Sequence, residues 1–172
     1  VVELQEKRVL GYSNLNQIPL PGVMTDIGDE MKRQYEIGAL AEHTWAPVIV
    51  PIQILILGEI AILAFPGEIT TTAGNRLKQS VLTVLEKRGV IDVILTSNAN
   101  EFSGYTTTFE EYQTQHYEAG FTLFGQYTLA AYQTAFTKMA EKLCEPIEKR
   151  HIPEAPQPPD FSKEELDKRT AR

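Results

Sequence analysis

Two oxygen-bearing side chains stand where the chain changes from one pattern to another. Glu68 lies in FPGEITTTAGNRL, Phe65 to Leu77, a lone carboxylate after a Pro-Gly pair, behind an apolar run and ahead of a helical pattern. Tyr105 lies in SNANEFSGYTTTFEEY, a polar stretch behind a second apolar run. A carboxylate and a phenol brought within reach of each other can share a metal ion or a water. Each also has a plainer use. From position alone, Glu68 can equally be a carboxylate in the first turn of a helix, where the helix dipole makes its charge worth up to about 1 kcal/mol. Tyr105 can be an ordinary core or hydrogen-bonded surface phenol.

The elements around these residues decide whether they meet. Residues 49–57 and 60–65 are apolar runs rich in Ile, Leu and Val, separated by Gly58-Glu59, which suits a two-residue hairpin turn with glycine first. After Pro66-Gly67 the period changes: Leu77, Val81, Val84 and Leu85 recur at helical spacing, and Gly89 follows as a stop. Val90 to Leu95 reads as a third, buried strand. Residues 60–95 therefore form a β-α-β unit with parallel outer strands and a right-handed crossover. Glu68 leaves the first of those strands and Tyr105 follows the second, so both reach the carboxyl edge of the sheet, where open α/β sheets place their ligands. Further on, Thr108 and Glu111 form a capping box that opens a short polar helix. Leu129, Tyr132, Phe136, Met139 and Leu143 make the stripe of a helix over about 126–145. The expected class is α/β: a mixed sheet with a β-hairpin, then the right-handed β-α-β unit, then C-terminal helices. Residues 26–42 have the pattern of an ordinary amphipathic helix, and the Pro-rich HIPEAPQPPDF leads into a charged helical stub, SKEELDKR.

Composition removes several classes of function. The chain has 172 residues, 42% of them hydrophobic, enough for one domain with a real core. A net charge of −7 offers no basic footprint for nucleic acid. The one cysteine, Cys144, excludes an internal disulfide and is expected to be buried in a helix. Pro51, Gln53, Gly58 and Glu59 interrupt the longest apolar region, which falls short of the roughly 20 residues a membrane span needs, so no transmembrane segment is expected. VVELQEKRVL is charged and has no basic-then-apolar leader pattern, so no signal peptide is expected in this chain. Of the three histidines, His43 reads as a loop residue, His116 as solvated or capping on a short helix, and His151 as exposed in the linker. No Ser-His-Asp set, P-loop, H-E-x-x-H or dinucleotide-binding glycine pattern is present.

The two long motifs together are specific. PGEITTTAGNRL resembles the PGE-[FI]-TT-x-[AS]-G-R-RL segment of the neutral ceramidase family, and NEFSGYTTTFEEYQTQHYEAGFTLFGQYTL is similar to that family's Y-x-x-Y-x-TT-x-EEY-x-x-Q-x-YE stretch. LGYS at 10–13 and WAPVIVPIQILILGEIAI fit it as well. Departures are Phe102 for the first Tyr of Y-x-x-Y and Asn75 for the first Arg of the helix motif. The segment carrying the family's serine nucleophile is absent, as are its histidine contexts.

The resemblance implies a zinc-dependent amidase that cleaves the N-acyl bond of ceramide to a sphingoid base and a fatty acid. It makes Glu68 and Tyr105 zinc ligands, alongside two histidines outside this chain, and sets Tyr117 near the scissile amide. Such a set is chemically sound. Zinc accepts carboxylate oxygen, and its charge can hold a tyrosine oxygen despite a reference pKa of about 10. Residues 1–150 would be the C-terminal portion of the catalytic domain, needing the remainder of that domain as partner, with 151–172 a linker and stub. A secreted or membrane-surface location follows from the family. The competing expectation is a stand-alone, non-catalytic α/β ligand-binding or interaction module, in which PGEITTTAG is an anion-friendly helix N-terminus. Glu68 itself would repel an anion there.

Overall fold

The computed structural model describes residues 33, 36, 37, 46–114, 116–151, 156–158 and 160–169. His43 and the LGYS motif at 10–13 lie outside the described residues, as does the helix expected over 26–42 apart from 33, 36 and 37.

The hairpin forms as its alternation dictates. Strand β1, Gln53–Leu57, runs antiparallel to β2, Ile60–Ala64, with Gln53 opposite Ala64 and Leu57 opposite Ile60. Gly58 takes the positive φ of 62° that the turn requires. The first strand is shorter than its apolar run because Pro51 has no N–H to give to a ladder, so pairing starts only at Gln53. Helix α1, Thr71–Leu85, follows; Thr70 caps it by accepting from the Ala73 amide, and a short 3-10 turn ends in Gly89 at φ 78°. Strand β4 is Asp92–Thr96, two residues later than the run from Val90 to Leu95 suggests at its start, and it pairs parallel to β2 from Ile60–Asp92 to Ala64–Thr96. The β-α-β unit and the mixed sheet are therefore present, in the order β1-β2-β4.

Among the described residues, one face of that sheet is covered. Ala61, Leu63, Phe65 and Val93 pack with Ala73, Leu77, Val81 and Leu85 of α1 and with Leu129, Phe136 and Ala140 of the long C-terminal helix Thr128–Cys144. In that helix Ala140 takes the core position, and Met139, one residue off the stripe, stays half-buried. Cys144 is half-buried, its thiol against the carbonyl of Val84. On the other face Leu55, Ile62 and Ile94 form a row across three strands; Leu55 and Ile94 are 61% and 50% exposed, and the neighbouring Leu57 is 71% exposed.

A second, smaller sheet was not expected. Strand β3, Glu68–Ile69, pairs parallel to β5, Tyr105–Thr106, in a ladder two residues long. Glu68 thus belongs to a strand, where the sequence suggested a turn leading straight into a helix. Short helices α2, Phe109–Tyr112, and α3, Tyr117–Gly120, follow β5, then α4, Thr128–Cys144. The stub is helix α5, Lys163–Arg169, where Ser162 accepts from the Glu165 amide. Among the described residues no helix is long and apolar enough to cross a membrane.

The two faces of the larger sheet make opposite demands on their leucines. Leu63→Ala, at a position with 0% exposure, is expected to cost about 2–5 kcal/mol in chemical denaturation. Leu55→Thr on the bare face is expected to stay within about 0.5 kcal/mol. Equal losses at both positions would contradict the one-sided core.

Candidate functional site

The ladder between β3 and β5 is built by close backbone approach. A Cβ on Gly67 would lie 2.5 Å from the carbonyl oxygen of Gly104, so only glycine lets the chain entering β3 pass the chain entering β5. The Glu68 amide donates to Gly104 O at 3.0 Å and the Thr70 amide to Thr106 O at 3.1 Å. Ser103 closes the entry side: its amide and its hydroxyl both donate to Pro66 O, at 2.9 and 2.6 Å. Its Oγ also lies 3.0 Å from the hydroxyl of Tyr132, whose ring packs against Phe65 in the core.

This approach puts Glu68 and Tyr105 directly opposite each other in register, with side chains on one face. Across that register the Glu68 carboxylate acts on the phenol as an anionic acceptor. That interaction, then partial burial, then the charges of Glu68, Tyr117 and Glu118, push the Tyr105 pKa up to about 12. Stabilisation of the neutral phenol by an anionic acceptor is the cause, and it is the opposite of what a cation in the same place would do. The ring of Tyr117 stands edge-on to that of Tyr105, centroids 5.6 Å apart, and itself packs on Phe121 at 4.7 Å. Tyr117 is 63% exposed. The strand order of the sequence brought Glu68 and Tyr105 to one edge, and the family resemblance singled out Tyr117; the structure sets the Tyr117 ring against that of Tyr105, opposite Glu68 in register.

Glu68 has no part in a helix dipole. Helix α1 begins at Thr71 with no acidic residue in its first turn, and its N-terminus is satisfied by Thr70. Beside the pair lies a cleft of about 450 Å³ whose walls include Tyr105, Thr70, Thr107, Glu111, His116 and Glu118. Glu68 borders Tyr105 but is not one of the cleft walls. His116 is exposed and precedes α3 without capping it by its side chain; His151 is exposed. Phe102 is 49% exposed, and Asn75 faces outward on α1. Sequence reasoning missed the threonines and Glu118 in this cleft, because isolated polar residues in a TTT or YE run carry no periodic signal.

The donor chemistry suits a hard or borderline cation in kind but not in number. Glu68 and Tyr105 offer two ligand side chains, and among the described residues no group of three or more His, Cys, Asp or Glu side chains is gathered to hold a metal. Zinc takes about four ligands.

The chain has known relatives in sequence and in fold. A sequence profile described as neutral/alkaline non-lysosomal ceramidase, N-terminal, matches residues 25–134. The neutral ceramidase of Oryza sativa subsp. japonica is 42% identical over 144 residues, covering 81% of this chain and 17% of its own length. That of Pseudomonas aeruginosa is 39% identical over 115 residues, covering 66% of this chain and 17% of its own. The crystal structure of neutral ceramidase from Pseudomonas aeruginosa superposes with a TM-score of 0.65 at 37% identity, over 69% of this chain and 18% of that one. A structure described as ceramidase complexed with C2 gives 0.66 at 37% identity, over 71% and 18%. This chain spans less than a fifth of the length of these relatives.

Two measurements check the geometry. In the metal-free chain Tyr105 is expected to titrate near 12 by ultraviolet absorbance, and Glu68→Gln to bring it down toward about 10. Because the folded value is raised, the stability linked to this phenol is present below about pH 10 and lost as pH climbs from 10 toward 12. An unchanged titration in Glu68→Gln would separate the two side chains. Gly67→Ala is expected to cost about 1–3 kcal/mol through overpacking against the Gly104 carbonyl, read by denaturation; a neutral result would refute the close approach.

Proposed function

Because the chain belongs to the neutral/alkaline non-lysosomal ceramidase family, we propose that it is a segment of a zinc-dependent amidase that hydrolyses the N-acyl bond of ceramide to a sphingoid base and a fatty acid. One observation carries the proposal: the family's two motifs meet in this chain as a register pair, Glu68 opposite Tyr105. In this reading those two residues hold zinc together with two histidines outside the chain. Residues 1–150 are the C-terminal portion of the catalytic domain, and 151–172 are a linker and helical stub. The remainder of that domain supplies the missing donors and covers the bare sheet face of Leu55, Ile62 and Ile94.

When bound, zinc supplies Lewis acidity toward the scissile amide. This chain's own residues then have distinct tasks. Glu68 brings the negative charge that a divalent ion requires. It also stands as the acceptor beside the Tyr105 hydroxyl, ready to take up or share the proton that the phenol must release in order to ligate. Tyr117, held edge-on against Tyr105 and open to solvent, presents an aromatic face and a hydroxyl where the amide would lie. Phe121, stacked behind it and 38% exposed, extends that surface with apolar area suited to an N-acyl lipid. The reading extends to a secreted or membrane-surface location, where such lipids are met.

The test uses the whole polypeptide that carries this segment. Glu68→Gln keeps side-chain size but removes the charge, so zinc content and ceramide turnover are expected to fall together, each at least about tenfold. Melting of the metal-free protein should move by no more than about 1 kcal/mol. The 172-residue chain alone is expected to hold zinc weakly and to lack turnover. Normal zinc with normal turnover in Glu68→Gln would overturn the assignment of Glu68, and robust hydrolysis by the isolated chain would overturn its incompleteness.

A further inference from the structure

A two-residue parallel ladder is a weak device for holding two side chains side by side, since so short a strand pair is marginal by itself. Its entry is closed by Ser103 and the paired glycines. Its exit is closed by Glu111. One oxygen of that carboxylate, Oε2, accepts from the Thr70 hydroxyl at 2.7 Å and from the Thr108 amide at 2.8 Å. Thr70 follows β3 directly, two residues after Glu68; Thr108 follows β5, three residues after Tyr105. The same Thr70 Oγ1 accepts from the Ala73 amide at 3.3 Å, and Thr108 Oγ1 accepts from the Glu111 amide at 3.1 Å. One carboxylate thus joins the N-caps of α1 and α2 across the exits of both strands.

A capping role for α2 accounts for the Thr108 bond and leaves the Thr70 bond over. Burial pulls the Glu111 pKa up, and the Thr108 amide and Thr70 hydroxyl outweigh it and hold the carboxyl below its usual range. The second link between the same helices, Arg76 with Glu110 at 2.8 Å, is between half-exposed side chains and of the kind that contributes little. We propose that Glu111 is a positioning residue that fixes Glu68 and Tyr105 in register by clipping the exits of β3 and β5 together, without touching either. The proposal rests on the reading of Glu68 and Tyr105 as the donor pair.

The experiment compares Glu111→Ala with Glu111→Gln. Glutamine keeps an acceptor oxygen at the same reach, as capping boxes allow; alanine keeps none. The first readout is amide hydrogen exchange in the metal-free 172-residue chain. Glu111→Ala is expected to speed exchange at Glu68 and Thr70, the ladder donors, by about tenfold, the loss of one charge-assisted hydrogen bond. Amides of Leu63 and Val93 in the larger sheet should be unchanged, and Glu111→Gln should recover most of the protection. A residue that only caps α2 would loosen Tyr112, whose amide donates to Thr108 O, and leave Glu68 and Thr70 alone. The second readout is ceramide hydrolysis by the whole polypeptide, where kcat should drop about tenfold in Glu111→Ala with KM within about twofold, and glutamine should restore it. Unchanged exchange at Glu68 and Thr70, or glutamine no better than alanine, overturns the clip. A loosened ladder with unchanged turnover overturns the role given to Glu68 and Tyr105 and, with it, any catalytic meaning of the positioning.

Discussion

The passage of the Gly67 backbone against the carbonyl of Gly104 is the constraint on which the site depends. Two chain segments, one leaving the larger sheet before α1 and the other arriving after β4, can run side by side only if position 67 carries no Cβ; a Cβ on Gly104 would instead meet the Phe121 carbonyl at 2.8 Å. Once they do, the parallel register is short but unambiguous, and it places a carboxylate opposite a phenol. Hydrogen bonds from Ser103 to Pro66 O on one side and to Glu111 from Thr70 and Thr108 on the other confine the pair from both ends. The first of these is tied through Tyr132 to the core, so the site is supported by the packing of α4 on the sheet.

That packing is asymmetric. Helices α1 and α4 bury one face of the three-stranded sheet, while the other presents Leu55, Leu57 and Ile94. All-parallel sheets are covered on both sides and antiparallel ones often on one; this mixed sheet joins one pair of each kind. The chain spans under a fifth of the length of the relatives it matches, and the proposed reading as a segment of a longer catalytic domain would give the exposed face a partner. In the proposed reading the same holds for the donor count: Glu68 and Tyr105 are two ligand side chains, and a zinc shell of about four would need others.

With no cation present, the Glu68 carboxylate makes the neutral phenol the preferred form of Tyr105 and raises its pKa to about 12. A divalent ion between the two oxygens would invert that preference, because its charge favours the phenolate and neutralises the carboxylate at once. Metal binding and release of the phenol proton are therefore linked events in the proposed enzyme, and the linkage comes from two residues that are neighbours across a ladder.

Much of the frame was legible in the residues. Alternation in β1 and β2, the Gly58-Glu59 turn, the stripe and stop of α1, the Thr108–Glu111 capping box and the α4 stripe are each set by local periodicity or turn chemistry, so they survive being read one segment at a time. The meeting of Glu68 with Tyr105 was also within reach, since parallel strands joined by a helix must end at the same edge of their sheet. The small sheet that holds them was not. Strands of two residues have no period to detect, and the need for glycine at 67 shows only when the Gly104 carbonyl is seen 2.5 Å from where a Cβ would stand. The second bond of Glu111 was hidden for a related reason: its partner Thr70 is far away in sequence, and the capping box had already given that carboxylate a sufficient local use. The sequence by itself determined the longer elements, because those depend on neighbours along the chain. Only the tertiary structure decided the register that makes two side chains a pair, because that depends on how closely two backbones can pass.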